Sequence, residues 1–245
     1  MDEKIIRLRK LIEISKHIVI LTGAGMSTNS GIKDIRSKDG LANDKTKQKK
    51  YGFSYEEIVS HSFFMKNPKL FYEYYFNEMV SKNAKPSEGY RLLNLLNKKC
   101  TIITQNIDGL HKISGNEKVL EIHGTTNEYH CMNCGSKYYF SEIRTMIHDG
   151  IPKCDCGGII KPDVVLFEEG LDENILTESI KAIEEADLLI VIGSSLLVNP
   201  AASLPYYFRG LNFVIINKDP TPLDYKSGLV IRNDVDEVLK KVLSK

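Results

Sequence analysis

Six short apolar runs, each closed by glycine or polar residues, restrict what this 245-residue chain can fold into. They are HIVILT (17–22), CTIITQN (100–106), KVLEIHG (118–124), VVLFEE (164–169), LLIVIGSS (188–195) and FVIIN (213–217). Their length and β-branched content suit buried strands. Helical stretches are predicted between several of them, at 86–97, 172–186 and 199–208. An amphipathic helix precedes them at 3–16, with Ile5, Leu8, Leu11 and Ile12 in helical step. Continuous apolar strands alternating with helices predict an α/β fold, a Rossmann-like, mostly parallel sheet with helices on both faces.

The first strand runs into LTGAGMSTNSGIKDIR (21–36), which starts like a dinucleotide loop. A hydride-transfer dehydrogenase would read G-x-G-x-x-G here, with an acid about twenty residues on for the ribose. Gly23 and Gly25 fit, but Thr28 stands where the third glycine belongs, and no strand-ending acid follows at that distance. An ordinary dehydrogenase is therefore disfavoured.

Parallel α/β sheets bind ligands beyond the carboxyl ends of their strands. Gln105, Asn106 and Asp108, with Ile107 among them, end one strand, and such a group suits sugar hydroxyls and a carboxamide. The alternative for this stretch is a polar loop capping a helix. His123 ends another strand, and an imidazole titrating near neutrality can take a proton from a hydroxyl. In isolation it reads equally as a structural histidine. Gly193, Ser194 and Ser195 suit phosphate or ribose, and Asn217 suits a ribose diol.

Two segments break the alternation. Residues 37–83 begin polar, with the lysine run KTKQKK (45–50) expected as a solvated loop, and then turn aromatic. Residues 126–160 carry Cys131, Cys134, Cys154 and Cys156, two close pairs separated by nineteen residues, the spacing of a zinc ribbon. The second pair is C-x-C, but thiolates at i and i+2 of an extended chain share one side. Four sulfur ligands leave no open position, so such a zinc is structural. Cys100, alone at a strand start, reads as a small core residue. These shifts divide the chain into a Rossmann-like domain (1–36, 84–125 and 161–245) and a smaller one. The latter comprises a helical module (37–83) and a zinc-ribbon module (126–160).

The formal charge of +1 gives no electrostatic case for nucleic acid or an anionic membrane as partner. No apolar run approaches the ~18 residues of a membrane span, and the N-terminus lacks a signal peptide's pattern. A cytoplasmic protein is expected, where cysteines serve metals more often than disulfides.

The ordered set GAGMS, GIKDIR, TQNID, HG, the four cysteines, PDVVLFEE, GSSLLVNPA and IN resembles the sirtuins of bacterial type, NAD-dependent protein deacylases. The resemblance spans residues 17 to 236 or so. It implies that Gly23, Ala24, Gly25, Thr28 and Arg36 hold the pyrophosphate, with Ile35 shielding the reacting sugar. Gln105 and Asn106 would face the nicotinamide ribose; Ile107 and Asp108 would line the nicotinamide pocket, Asp108 bonding the carboxamide. Gly193, Ser194, Ser195 and Asn217 would hold the adenosine half, with the backbone at Asp234 and Val235 closing over adenine. Val165, Phe167 and Glu168 with Leu197 and Val198 would grip the substrate peptide as an added strand.

By the same resemblance, the acyl-lysine oxygen attacks the ribose carbon that bears nicotinamide. His123 acts as general base on a ribose hydroxyl, with Asn106 and Asp108 as catalytic partners. Lysine, nicotinamide and O-acyl-ADP-ribose leave; NAD is a co-substrate, and one zinc per chain is structural. Acyl-lysine proteins or peptides are the implied partners, and a monomer is expected.

Departures from the family pattern are Lys33 and Ile35 for the usual proline and phenylalanine, and Glu168 for the glycine of F-G-E. In desuccinylating sirtuins a Y-x-x-R pair reads the acyl carboxylate; here Tyr72-Glu73-Tyr74-Tyr75 puts Tyr75 at the arginine position, so an uncharged acyl group is expected. Two rivals share parts of the site: a mono-ADP-ribosyltransferase, and a non-catalytic NAD- or acyl-lysine-binding module.

Overall fold

The computed structural model describes residues 2–35, 37, 40–81 and 83–244. In chain order the strands are β1 (Ile18–Thr22), β2 (Cys100–Thr104), β3 (Val119–Glu121), β4 (Gly124–Cys131), β5 (Lys137–Tyr139) and β6 (Ile147–His148). They continue with β7 (Ile151–Pro152), β8 (Ile160–Val164), β9 (Leu188–Ile192), β10 (Asn212–Ile216) and β11 (Leu229–Ile231).

Six of them form a wholly parallel sheet in the order β11-β10-β9-β1-β2-β3. The chain lays down β1 to β3 outward on one side, then returns to build β9 to β11 on the other. That is the strand order of a Rossmann sheet, and the reversal falls between β1 and β9.

Alternation along the central strands fills two cores. Ile18, Ile20, Ile102, Ile190, Ile192, Val214 and Ile216 face one side, under the helices Asp2–Ile14, Glu88–Leu93 and Val235–Leu243. Val19, Leu21, Ile103, Leu189, Val191 and Ile215 face the other, against the helix Glu173–Glu185 and the 3₁₀ turn Ala201–Tyr207. Each such aliphatic side chain contributes about 1.5–3 kcal/mol on burial, so a strand buried on both faces must be apolar throughout. Helix starts are set by side-chain caps. Asp172 accepts from the amides of Asn174 and Ile175 at 2.9 and 3.0 Å, and Asp234 does the same for Asp236 and Glu237.

The smaller unit has a three-stranded antiparallel sheet, β5-β4-β8, and the β6–β7 hairpin. Four short helices join it: Lys45–Tyr51, Tyr55–Ile58, His61–Lys66 and Pro68–Tyr74. Its core is aromatic, with Phe64, Phe71, Tyr72, Tyr75 and Tyr129 fully buried. The Tyr75 and Tyr129 hydroxyls meet at 3.2 Å, and the Tyr72 hydroxyl donates to the Ile160 carbonyl. Helical insertion and zinc-ribbon segment thus share one core.

Three expectations change here. The run 164–169 is no strand of the parallel sheet: β8 ends at Val164 and pairs antiparallel with β4, so the smaller unit's sheet extends past residue 160 to include 161–164. The lysine run is helical, capped by Asp44 and stopped by Gly52, and Lys47 pairs with Glu78. Tyr75 is fully buried against Phe71 and Tyr129, so it is not available to an acyl group and that argument for an uncharged acyl loses its footing.

Candidate active site

Register places the site. Thr22 lies level with Thr104 and Ile192, Ile192 with Ile216, and Thr104 with Glu121. The residues that follow these strands, Gly23, Gln105, Gly193, Asn217 and His123, therefore emerge along one edge of the sheet, its carboxyl edge.

At the reversal point the loops after β1 and β9 touch through bare backbone. The Gly25 amide donates to the Gly193 carbonyl at 2.8 Å, and the Gly23 amide to that of Ile192 at 3.0 Å. A Cβ on Gly193 would lie 2.5 Å from the Met26 nitrogen, and one on Gly23 2.8 Å from the Gly193 oxygen. Gly193 also has a φ of 59°, in the left-handed region. The β1 loop turns through two 3₁₀ segments, Ala24–Met26 and Thr28–Ser30, rather than opening a long helix, and the close third approach that a dehydrogenase assigns to its last glycine is made here from β9.

A polar chain crosses this edge. Ser27 Oγ donates to Asp108 Oδ2 at 2.6 Å, which leaves the Tyr90 hydroxyl, 2.8 Å away, to donate to Ser27. Asn106 Nδ2 reaches the Gly23 carbonyl at 3.0 Å and Ser27 Oγ at 2.9 Å. Asp108 Oδ1 accepts the Leu110 amide at 2.9 Å. Burial pushes the Asp108 carboxyl above its usual range, against the pull of those two donors, and burial likewise raises the Tyr90 phenol. Gln105 Nε2 donates to Ser194 Oγ at 2.9 Å, joining the β2 and β9 ends.

His123 Nδ1 lies 3.0 Å from the Gln105 carbonyl. A carbonyl only accepts, so Nδ1 carries the proton and the neutral ring's lone pair is on Nε2. The backbone oxygen of His123 accepts the Val165 amide at 3.0 Å. Phe167, next along, pairs by backbone with Val59 (3.1 Å) and His61 (3.0 Å) of the smaller unit. Glu168 has a φ of 78°, the conformation that accounts for a glycine in the usual motif. Its carboxylate is turned onto Ser62, accepting the amide at 2.8 Å and the hydroxyl at 2.9 Å. Leu197 is exposed and Val198 half-buried, just beyond the Gly193–Ser195 turn.

Toward β10 and the last helix, Asn217 Nδ2 donates to the Asp219 carbonyl at 2.8 Å. Asp234 accepts from Asn29 Nδ2 at 2.8 Å and lies 3.0 Å from the Lys218 ammonium. Partial burial works against its charge, but Lys218 and Asn29 hold it below the ordinary carboxylate value. Val235 points into the core, leaving its backbone for any adenine contact. Thr28 donates back to the Gly25 carbonyl at 3.1 Å. Ile35 and Ile107 both pack at the margin of the aromatic core. Arg36 lies outside the described residues.

The four cysteines converge, with their sulfurs within 4.8 Å of one another, Cys131–Cys156 at 3.5 Å and Cys134–Cys154 at 3.6 Å. A tetrahedral ion with sulfur at about 2.3 Å needs edges of about 3.8 Å, so the set fits zinc. The Asn133 amide, 3.4 Å from Cys131 Sγ, is placed to support thiolate charge.

Three members of the site escape sequence reading. Ser27 and Tyr90 are buried at the centre of the polar chain, though 63 residues apart. His111 bonds Thr22 Oγ1 and Asn116 Oδ1, both at 3.0 Å, and burial lowers it to about 4. It is a neutral support beneath the site.

Comparison with known proteins supplies the remaining finding. The Sir2 family profile matches residues 23–200. An NAD-dependent protein deacetylase of Clostridium perfringens is 45% identical over 248 residues, covering 99% of this chain and all of the relative. One from Clostridium acetobutylicum is 46% identical over 247 residues, 98% of each. Among solved structures, a Sir2–p53 peptide–NAD⁺ complex superposes with a TM-score of 0.85 at 36% identity, covering 96% of this chain and 95% of the other. A Sir2 variant with deacetylated p53 peptide and 3′-O-acetyl ADP-ribose gives 0.86 at 35%, covering 97% and 96%.

Proposed function

The chain belongs to the Sir2 family, and from that membership we infer its activity: it is an NAD-dependent protein-lysine deacetylase. NAD is its co-substrate, supplying nicotinamide as leaving group and ADP-ribose as acyl acceptor, and the four cysteines fit one structural zinc.

The roles assigned to individual residues are our reading of the geometry. Three glycines press the β1 and β9 loops together, and the bare main chain they leave at the sheet's reversal point suits the close approach of a pyrophosphate. Asp108, held by Ser27 and the Leu110 amide, keeps an oriented carboxyl for a carboxamide. Asn106 is fixed by the same chain beside it. His123, with its proton committed to the Gln105 carbonyl through Nδ1, offers Nε2 as the general base. Its backbone anchors Val165, so the base and the segment assigned to the peptide start from one residue.

The observation that carries this reading is the convergence of Ser27, Asn106, Asp108 and His123, from three different strand ends, on one edge of the sheet. It favours a built reaction site over a binding module, since a binder has no need of an oriented base. No described helix is long and apolar enough to cross a membrane. On this reading the working unit is a monomer acting on acyl-lysine proteins in the cytoplasm. The test is mass spectrometry of a reaction with acetyl-peptide and NAD. Expected is O-acetyl-ADP-ribose in step with deacetylated peptide; ADP-ribosylated protein without that product would establish the transferase instead.

A further inference from the structure

We propose that Lys161, Glu169 and Glu168 are positioning residues for the peptide substrate, holding residues 165–169 in the shape that receives an acyl-lysine chain. The inference rests on the reading of that segment as the peptide-binding edge.

Lys161 is 6% exposed, and its ammonium serves no catalytic step described above. It donates to the carbonyls of Val164 at 3.0 Å and Pro162 at 3.2 Å, and lies 3.0 Å from Glu169 Oε2. That same oxygen accepts the Leu166 amide at 2.8 Å, while Oε1 bonds His61 Nδ1 at 2.8 Å. The Glu169 amide returns to the Leu166 carbonyl at 3.1 Å. One carboxylate therefore closes a turn from Leu166 to Glu169, with the lysine fastening it to the end of β8 and the histidine fastening it to the helical segment.

Glu168 adds a second fastening from outside the turn, through both donors of Ser62. It does so at a φ of 78°, where a glycine would be at ease. A buried ion pair is seldom more stabilising than an apolar pair of the same size, and a non-glycine residue in the left-handed region costs stability. Both features are explained if what they secure is orientation. Between the two fastenings Phe167 is clamped by backbone to Val59 and His61, and at the start of the segment Val165 is bonded to His123. Loosening the turn should therefore disturb peptide seating first, with the NAD loops on β1 and β9 untouched.

The experiment uses the full chain and an acetyl-lysine peptide, varying peptide and NAD separately, with thermal unfolding alongside. For Glu168→Ala the peptide KM should rise about fivefold, the loss of two solvent-screened bonds to Ser62, with kcat and the NAD KM within about twofold. Glu168→Gln, which still accepts from Ser62, should recover most of that. Lys161→Met should lower the melting temperature by leaving the half-buried Glu169 carboxylate without its cation. Adding Glu169→Leu should restore the melting temperature but leave the peptide KM about tenfold high, because the Leu166 amide has lost its acceptor. An unmoved peptide KM in Glu168→Ala, or a double variant that regains both stability and KM, overturns the proposal. If the Lys161 variants do not fold, the Glu168 pair decides it. A native chain without NAD-dependent deacetylation would refute the functional reading; an active one with an unmoved peptide KM refutes only this inference.

Discussion

In the large sheet, the groups assigned to chemistry stand at the ends of strands paired in parallel register over up to five residues and buried on both faces. In the smaller unit, the cysteines stand on short knuckles beside two-to-eight-residue strands, and order comes from stacked aromatics and the sulfur cluster. The first region holds its geometry by extended packing, so it can tolerate a buried carboxyl and a polar chain. The second has too little sheet to hold itself, and a metal replaces what packing lacks. On the proposed assignment chemistry and scaffold are thus separated, with the reacting groups on the large sheet and the metal in the smaller unit.

Zinc removal tests that division most severely. Chelation, or Cys154→Ser, should unfold the smaller unit, since structural zinc contributes about 10–16 kcal/mol in small sites. Hydrogen exchange should show β4, β5 and β8 losing protection while β1, β2 and β9 keep theirs. Simultaneous loss in both would mean the two regions are one cooperative body.

His123→Ala should lower deacetylation by about 10²–10⁴-fold, the usual worth of a general base, without comparable loss of NAD affinity or stability. A variant keeping more than about a tenth of the native turnover would remove His123 from the role.

Asp108→Asn sharpens the comparison because function and stability should move in opposite directions. Burial raises the folded carboxyl's pKa, so its stabilising contribution is complete below the unfolded value and is lost as pH rises through the folded one. The asparagine variant should therefore melt higher than the native chain at pH 7, with the difference vanishing under acid conditions. Its deacetylation should fall about 10–100-fold with the charged acceptor gone. A lower melting temperature at pH 7 would show that Ser27 and Leu110 more than offset the burial.

Tyr75→Phe should have the smallest effect, about 1 kcal/mol for one buried hydroxyl pair, or roughly 2–4 °C in melting temperature. Activity on acetyl and succinyl peptides should change together. A shift in their ratio would return Tyr75 to the acyl site.

Much of the large sheet is legible in the sequence because buried parallel strands announce themselves as continuous apolar runs with functional residues at one end. The same signal misplaces 164–169, since an irregular apolar segment held by single backbone bonds, Val165 to His123 and Phe167 to Val59, looks no different from a strand in composition. Tyr75 misleads for another reason. Its burial depends on Tyr129, which the fold brings to its hydroxyl from 54 residues further along the chain. Ser27 and Tyr90 are invisible because their partners are brought together only by the completed sheet. Glu168 shows as a departure from pattern, but where its carboxylate goes depends on Ser62, more than a hundred residues earlier.

The contact between Gly25 and Gly193 has a consequence for how this enzyme can change over time. With no room for a Cβ on either side, the floor of the crevice is made of main chain alone and offers selection nothing to substitute. On the proposed placement of the nucleotide, variation in how strongly such a chain holds it accumulates at the rim, at positions such as Thr28, Asn29, Ser195 and Asn217. Descendants of this protein would be expected to differ in the reach of those side chains while sharing an unaltered floor.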